Sequence, residues 1–202
     1  MKDIRVMKTI IDAEYHRYRN RFRQIIRKHQ IVLLGDSMLA YIPLKAFGIE
    51  DIVENLGIPG DTTLGVLKRL DDLDTLNPSR VILNIGSNDI VLTDLTKLQT
   101  VENIIRIKDI LESKGIPVTV VSTTPVLRNH ALSNMDYIQH RTNQDLREIN
   151  QLLSEKLSDT SFVDVFHDLL DETGDLNISF TTDGIHLNQK GYIVYLSKLN
   201  LI

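Results

Sequence analysis

Apolar residues recur at steps of three and four near the start of the chain: Ile4, Met7, Ile10, Ile11, Tyr15, Tyr18, Phe22, Ile25 and Ile26. That period predicts an amphipathic helix over residues 4–26. Beyond it, short apolar runs alternate with helical periods. Ile31 to Leu34 reads as a buried strand ending at Gly35, and Asp51 to Leu56 as a second strand. Val81 to Ile85, Val118 to Val121 and Phe162 to Val165 read as the third, fourth and fifth. Helices are predicted over 62–72, 96–114, 137–157 and 189–199, with Gly115 closing the second of these as a C-cap. Short buried strands separated by helices predict an α/β fold with a parallel sheet covered on both faces. No repeat or low-complexity linker interrupts the pattern, so residues 29–202 read as one domain, with the helix of residues 1–28 packed on it.

Composition narrows the function classes. A net charge of −4 gives no basic domain of the kind that binds nucleic acid. The chain has no cysteine, which excludes disulfides, thiolate metal sites and a cysteine nucleophile. No apolar signal core follows Met1, and apolar runs stay far below membrane-spanning length, so a cytoplasmic protein without stable membrane insertion is expected. Nine of the 23 Lys and Arg residues lie in positions 1–28. A solvated face on a docked helix accounts for them, with a membrane-surface helix as the rival reading.

Ligand sites in parallel α/β sheets lie at the carboxyl ends of the strands. The first strand runs into Gly35-Asp36-Ser37, and the loop after the second holds Gly57-Ile58-Pro59-Gly60-Asp61-Thr62-Thr63. The third ends in Gly86-Ser87-Asn88-Asp89, and Asp183-Gly184-Ile185-His186 precedes the final helix. These are the parts of an acyl-transfer site. A serine hydroxyl needs a base to take its proton, and histidine suits that role near neutral pH. A carboxylate on Nδ1–H fixes the imidazole tautomer, and the spacing of Asp183 and His186 allows both to share one tight turn. An oxyanion needs donors placed in advance, for which the N–H groups of Ser37 and Gly60 and the amide of Asn88 are candidates.

Taken together, these four blocks resemble the SGNH or GDSL hydrolases: Gly35-Asp36-Ser37, with Met38 where leucine is usual, Asn55 to Gly60, Gly86 to Asp89 and Asp183 to His186. The resemblance covers residues 29 to 200 and leaves the N-terminal helix outside. It implies a flavodoxin-like three-layer α/β/α sandwich with five parallel strands. It also implies ester or thioester hydrolysis with no metal or organic cofactor, and Ser37, Gly60, Asn88 and His186 as the namesake residues. Gly60-Asp61-Thr62-Thr63 with Val66 to Leu70 is similar to the platelet-activating-factor acetylhydrolase catalytic subunits, which remove short acyl groups and form dimers. The expectation is therefore a serine esterase with Ser37 as nucleophile, His186 as base and Asp183 as its orienting carboxylate. Its partner is a small-molecule ester, with acetyl esters of lipids or sugars among the candidates, and a homodimer is expected. Two rivals share the motif set: a non-catalytic ligand-binding module that retains the pocket, and an O-acyltransferase using the same triad.

Other residues carry blander expectations. His167, with Asp164 before it, is the strongest decoy for His186. Asp36 and Asp89 are expected to hold loops, Asp61 and Thr62 to cap a helix, and Asp71, Asp72 and Asp74 to lie on a solvated helix end. Val91, Leu92, Leu95, Val126 and Leu127 either line an acyl site or pack in the core, with packing expected for at least half. The segment Arg128-Asn129-His130 is a candidate contact for a polar leaving group.

Overall fold

The structure is a computed structural model that describes residues 4–25, 28, 30–138 and 140–202, with side chains from residue 8 onward. The apolar positions Ile4 and Met7 are described by backbone only, and Ile26 lies outside the described residues.

Five parallel strands form one sheet: β1 (Ile31–Gly35), β2 (Val53–Gly57), β3 (Arg80–Asn84), β4 (Val118–Val121) and β5 (Phe162–Val163). Their order is β2-β1-β3-β4-β5. This is the doubly wound, flavodoxin-like order, in which the chain winds outward in both directions from β1 and leaves a crevice between the ends of β1 and β3. Around the sheet lie α1 (Ile4–Phe22), α2 (Ser37–Ala40), α3 (Thr63–Leu67), α4 (Asp89–Leu92), α5 (Lys97–Ser113), α6 (Met135–Ile138), α7 (Asn143–Lys156) and α8 (Gln189–Lys198). Among the described residues no helix is long and apolar enough to cross a membrane.

Both faces of the strands are apolar because helices cover both. Val32 and Leu34 of β1, with Val81 and Leu83 of β3, pack with Val66, Val101, Ile104, Ile149 and Leu153 from α3, α5 and α7. The intervening Leu33 and Ile82 point the other way, onto Met38 and Leu39 of α2 and Tyr192, Tyr195 and Leu196 of α8. Each fully buried aliphatic side chain stabilises the fold by about 1.5–3 kcal/mol, so the two-residue period of β1 and β3 fixes their register in the sandwich. Side-chain caps start the longer helices. Thr96 and Gln99 form a reciprocal capping box at α5, Thr142 accepts from the Asp145 N–H at α7, and Asn188 accepts from Gly191 at α8.

Three elements depart from the sequence pattern. The helix expected over 62–72 ends at Leu67 and tightens into a 3₁₀ turn at Leu70–Leu73. Thr62 caps it, but Asp61 does not: its carboxylate takes the Thr62 N–H and the Nε–H of fully buried Arg69 instead. The helix expected over 137–157 is split into α6 and α7, because extended Thr142 begins a new helix there. The fifth strand stops at Val163, since the Ser122 hydroxyl accepts the N–H groups of Val165 and Phe166 in place of a strand neighbour.

The N-terminal helix packs on the α3 side of the sheet. Phe22 is buried in that core, with Tyr15 and Tyr18 against it. The Tyr15 hydroxyl donates to the Gly65 carbonyl at 2.8 Å. Arg19 donates to buried Asp72 at 2.8 and 3.1 Å and to Asp71 at 2.8 Å. Asp71 and Asp72 are thus the clamp on α1 rather than a merely solvated helix end, while Asp74 pairs with Lys114.

Candidate active site

The crevice at the ends of β1 and β3 gathers residues from four parts of the chain. Asp36 is the N-cap of α2, its carboxylate accepting the Met38 N–H at 2.9 Å, so Ser37 stands on the first turn of a helix with its hydroxyl free of capping. Ser37 Oγ lies 3.1 Å from His186 Nε2. On the other side of the ring, His186 Nδ1 lies 2.7 Å from Asp183 Oδ2. An ionised carboxylate can only accept, so Nδ1 carries the proton and Nε2 accepts from the Ser37 hydroxyl.

The Asp-x-x-His turn makes this possible. Gly184 has φ +84°, in the left-handed region that glycine enters without strain, and folds Asp183 back toward the ring. Asp183 Oδ1 accepts the N–H groups of Ile185 at 3.1 Å and His186 at 2.7 Å, while Oδ2 takes the ring. Burial works to raise the Asp183 pKa, but the hydrogen bonds from the His186 ring and from the two backbone N–H groups outweigh it and hold the carboxyl below its ordinary value.

Opposite His186 lie the candidate oxyanion donors. Gly60 has φ +81°, in the left-handed region, and lines the cavity. Asn88 donates from Nδ2 to the Asp61 carbonyl at 2.9 Å, and makes a longer contact of 3.4 Å with Asp36 Oδ2. Its Oδ1 accepts from Arg141 Nη2 at 2.5 Å. Arg141 is buried, and burial pushes its pKa down to about 10, with Asp36 acting in the opposite sense. The rest of its guanidinium donates to the Ser87 carbonyl and hydroxyl and to the Tyr137 carbonyl. Asp36 and Asp89 are both raised to about 6, burial being the main cause in each. Asp89 holds the start of α3 by accepting the N–H and hydroxyl of Thr63.

Ser37, Gly60, Asn88, Arg141 and His186 line a cavity of about 370 Å³. The rings of Tyr41 and Tyr137 stand edge-on to His186, with centroids at 5.0 and 5.9 Å. Val91 and Leu92 line the cavity, whereas Val126 and Leu127 are buried in the core. Arg128 donates to the Arg141 carbonyl instead of reaching the cavity, so the expected leaving-group contact is not at that position. His167 repeats the carboxylate–imidazole pair, 2.5 Å from Asp164, but on the exposed surface and outside the cavity of Ser37. A second, shallow hollow of about 490 Å³ lies over α5, lined by Glu102, Arg106 and Lys156, with no hydroxyl–imidazole pair. Arg141, Tyr41 and Tyr137 were not expected from the sequence, and neither was the presence of α1 residues in the cavity wall.

Known proteins share this fold. A Streptococcus pneumonia protein provisionally named a platelet activating factor is 26% identical and superposes with a TM-score of 0.83, covering 98% of each chain. A GDSL-like lipase from Bacteroides thetaiotaomicron, 20% identical, matches in fold with a TM-score of 0.79 over 93% of this chain and 96% of its own. An acetyl xylan esterase, 22% identical, matches in fold with a TM-score of 0.64 over 84% of this chain and 97% of its own. Among curated proteins, the N-acylneuraminate cytidylyltransferase of Escherichia coli O18:K1:H7 is 29% identical over 181 residues, or 87% of this chain. This chain spans only 40% of that relative's length. The family model described as GDSL-like lipase/acylhydrolase matches residues 33–194, a span that holds β2 to β5 and the end of β1 together with Ser37, Asn88 and His186, and the chain belongs to that hydrolase family.

Proposed function

We propose that this protein is a serine esterase that cleaves short-chain carboxylic esters through an acyl-enzyme, with acetyl esters of sugars as its substrate class. The observation that carries the reading is the continuous relay from Asp183 Oδ2 through His186 to Ser37 Oγ, at 2.7 and 3.1 Å, opening into a cavity faced by Gly60 and Asn88. Ser37 Oγ attacks the ester carbonyl while His186 Nε2 takes the hydroxyl proton. The carbonyl oxygen becomes an oxyanion held by the N–H groups of Ser37 and Gly60 and by Asn88 Nδ2. The intermediate collapses, the C–O bond to the alcohol breaks, and His186 returns the proton to the departing oxygen. Water then attacks the acyl-enzyme, gives its proton to His186, and the acid leaves as Ser37 is re-protonated.

The sugar assignment is supported by the name of the curated relative, which acts on an N-acylneuraminate, a sugar acid. A cavity of about 370 Å³ is near the small end of ligand sites, which span about 300–1,000 Å³, and suits a short acyl group with part of a sugar. The test is acetate release from O-acetylated sugars, alongside turnover of p-nitrophenyl acetate, in wild type and Ser37→Ala. Serine-dependent release of acetate supports the reading. Equal turnover in the folded Ser37→Ala variant overturns it, as does failure of a fluorophosphonate to label Ser37.

A further inference from the structure

The family model begins at residue 33, so α1 lies outside it. Yet Ile10, Ile11, Glu14 and Tyr18 of α1 line the same cavity as Ser37 and His186. Ile11 packs against Gly60. A Cβ built on Gly60 would lie 2.7 Å from Ile11 Cγ1 and 2.8 Å from Cδ1. The branched side chain of Ile11 is therefore packed directly on the Cα of the candidate oxyanion glycine.

This contact is held from outside the cavity. Tyr15, Arg19 and Phe22 fix the helix to Gly65, to Asp71 and Asp72, and to the core. Ile11, Tyr15, Phe22 and the residues between them at helical spacing fall on one stripe, so the stripe that docks α1 also sets the height of Ile11 over Gly60.

The geometry of the intermediate says which part of the substrate meets Ile11. The leaving group must face His186, which returns its proton, and there it meets Tyr41 and Tyr137. The acyl substituent of the same tetrahedral carbon points away from the imidazole. Ile11 packs on Gly60, and Ile10, beside it in the chain, and Val91 and Leu92, soon after Asn88 in the chain, are further aliphatic groups lining the cavity. We propose that α1 is the specificity element of the site, with Ile11 as the floor of the acyl subsite that confines it to short acyl groups. This rests on the esterase reading above.

The experiment measures kcat/KM for p-nitrophenyl acetate, butyrate and hexanoate in wild type, Ile11→Ala and Arg19→Gln. One methylene in an apolar pocket discriminates by roughly 10–200-fold, so the hexanoate-to-acetate ratio should rise by at least about tenfold in Ile11→Ala. Arg19→Gln, outside the cavity, should move the ratio in the same direction by loosening the helix. A ratio unmoved by Ile11→Ala, or a parallel fall for every ester, overturns the proposal. If Ile11→Ala does not fold, Ile11→Val must show a smaller shift of the same sign, and its failure to do so is equally fatal. Wild-type protein with no Ser37-dependent turnover of any ester strikes the esterase reading instead, which separates the two failures.

Discussion

Arg141 Nη2 donates to Asn88 Oδ1 at 2.5 Å, across 53 positions of sequence, and so decides which end of the Asn88 carboxamide faces Asp61 and Asp36. With Oδ1 occupied by a cation, the amide cannot flip without burying an oxygen against Asp36 and the Asp61 carbonyl. The Nδ2 hydrogens are left pointing at Asp61 O, 2.9 Å away, and toward Asp36 across a long 3.4 Å contact. In the proposed mechanism the second of these, the more weakly held, is the hydrogen offered to the oxyanion. In that mechanism Arg141 is thus a positioning residue acting through Asn88.

Arg141→Ala should lower kcat with little change in KM. Removing an oxyanion donor outright, as in Asn88→Ala, costs about 10²–10³ in kcat. Arg141→Ala should cost less, about 10–100-fold, because the donor is misdirected and not lost. The double variant should be no slower than Asn88→Ala, since the two act as one unit. Arg141→Lys keeps the charge but cannot span Ser87, Asn88 and Tyr137 at once, and should fall between. Additive losses in the double variant, measured on folded protein, would remove Arg141 from this role.

Asp183→Asn tests the other end of the relay. The amide still fits the turn, but its NH₂ or oxygen must now meet a ring that no longer has a fixed tautomer. A loss in kcat of about 10⁴ is the precedent for the equivalent change in a serine protease triad. Pre-steady-state burst kinetics should show acylation slowed while substrate affinity is kept. A variant with wild-type burst rate would show that Asp183 only shapes the loop.

The grouping of the candidate site residues at one end of the sheet was legible in the sequence because its signals are local. Gly35-Asp36-Ser37 and Gly86 to Asp89 directly follow apolar runs, and Asp183 and His186 meet within one turn. What was not legible depends on distant pairs. Arg141 sits in a run that reads as continuous helix, and nothing in its spacing points to Ser87 or Asn88. Thr142 as a cap is equally silent until Arg141 is known to turn inward. The stripe of α1 was read as a docking face, which it is for Phe22. That its earlier turns overhang the crevice depends on where the helix crosses the sheet, which periodicity does not encode. Asp164 and His167 show the converse: a local signal with the right spacing that stands on the exposed surface, outside the cavity of Ser37.

Asp89 makes a prediction about stability and pH. Its carboxyl is raised to about 6 by burial, above the ordinary value near 4 that it has in the unfolded chain. The folded state then holds the proton more tightly than the unfolded state, so this group's contribution falls as pH rises from about 4 to about 6. A two-unit shift corresponds to an upper bound of about 3 kcal/mol. Asp89→Asn removes the titration but keeps an acceptor for Thr63. The Tm of Asp89→Asn relative to wild type should therefore climb across that window, at about 2–4 °C per kcal/mol for a chain of this size. Asp36 titrates in the same window in both proteins, so the difference isolates Asp89. A difference that is flat with pH would place the proton elsewhere.

Gly60→Ala should be damaging for two separable reasons. The first is backbone: at φ +81° a Cβ costs about 1–3 kcal/mol whatever its surroundings. The second is contact, since the new methyl would meet Ile11 Cγ1 at 2.7 Å and push α1 or the glycine loop aside. Either shift moves the Gly60 N–H from the position of the oxyanion, so kcat should drop along with Tm. Adding Ile11→Ala clears the contact and leaves the dihedral unchanged. The double variant should therefore recover part of the activity but not all of the lost stability. Full recovery of Tm would show that the glycine is there for the helix alone, and no recovery of kcat would show that Ile11 does not press on the oxyanion loop.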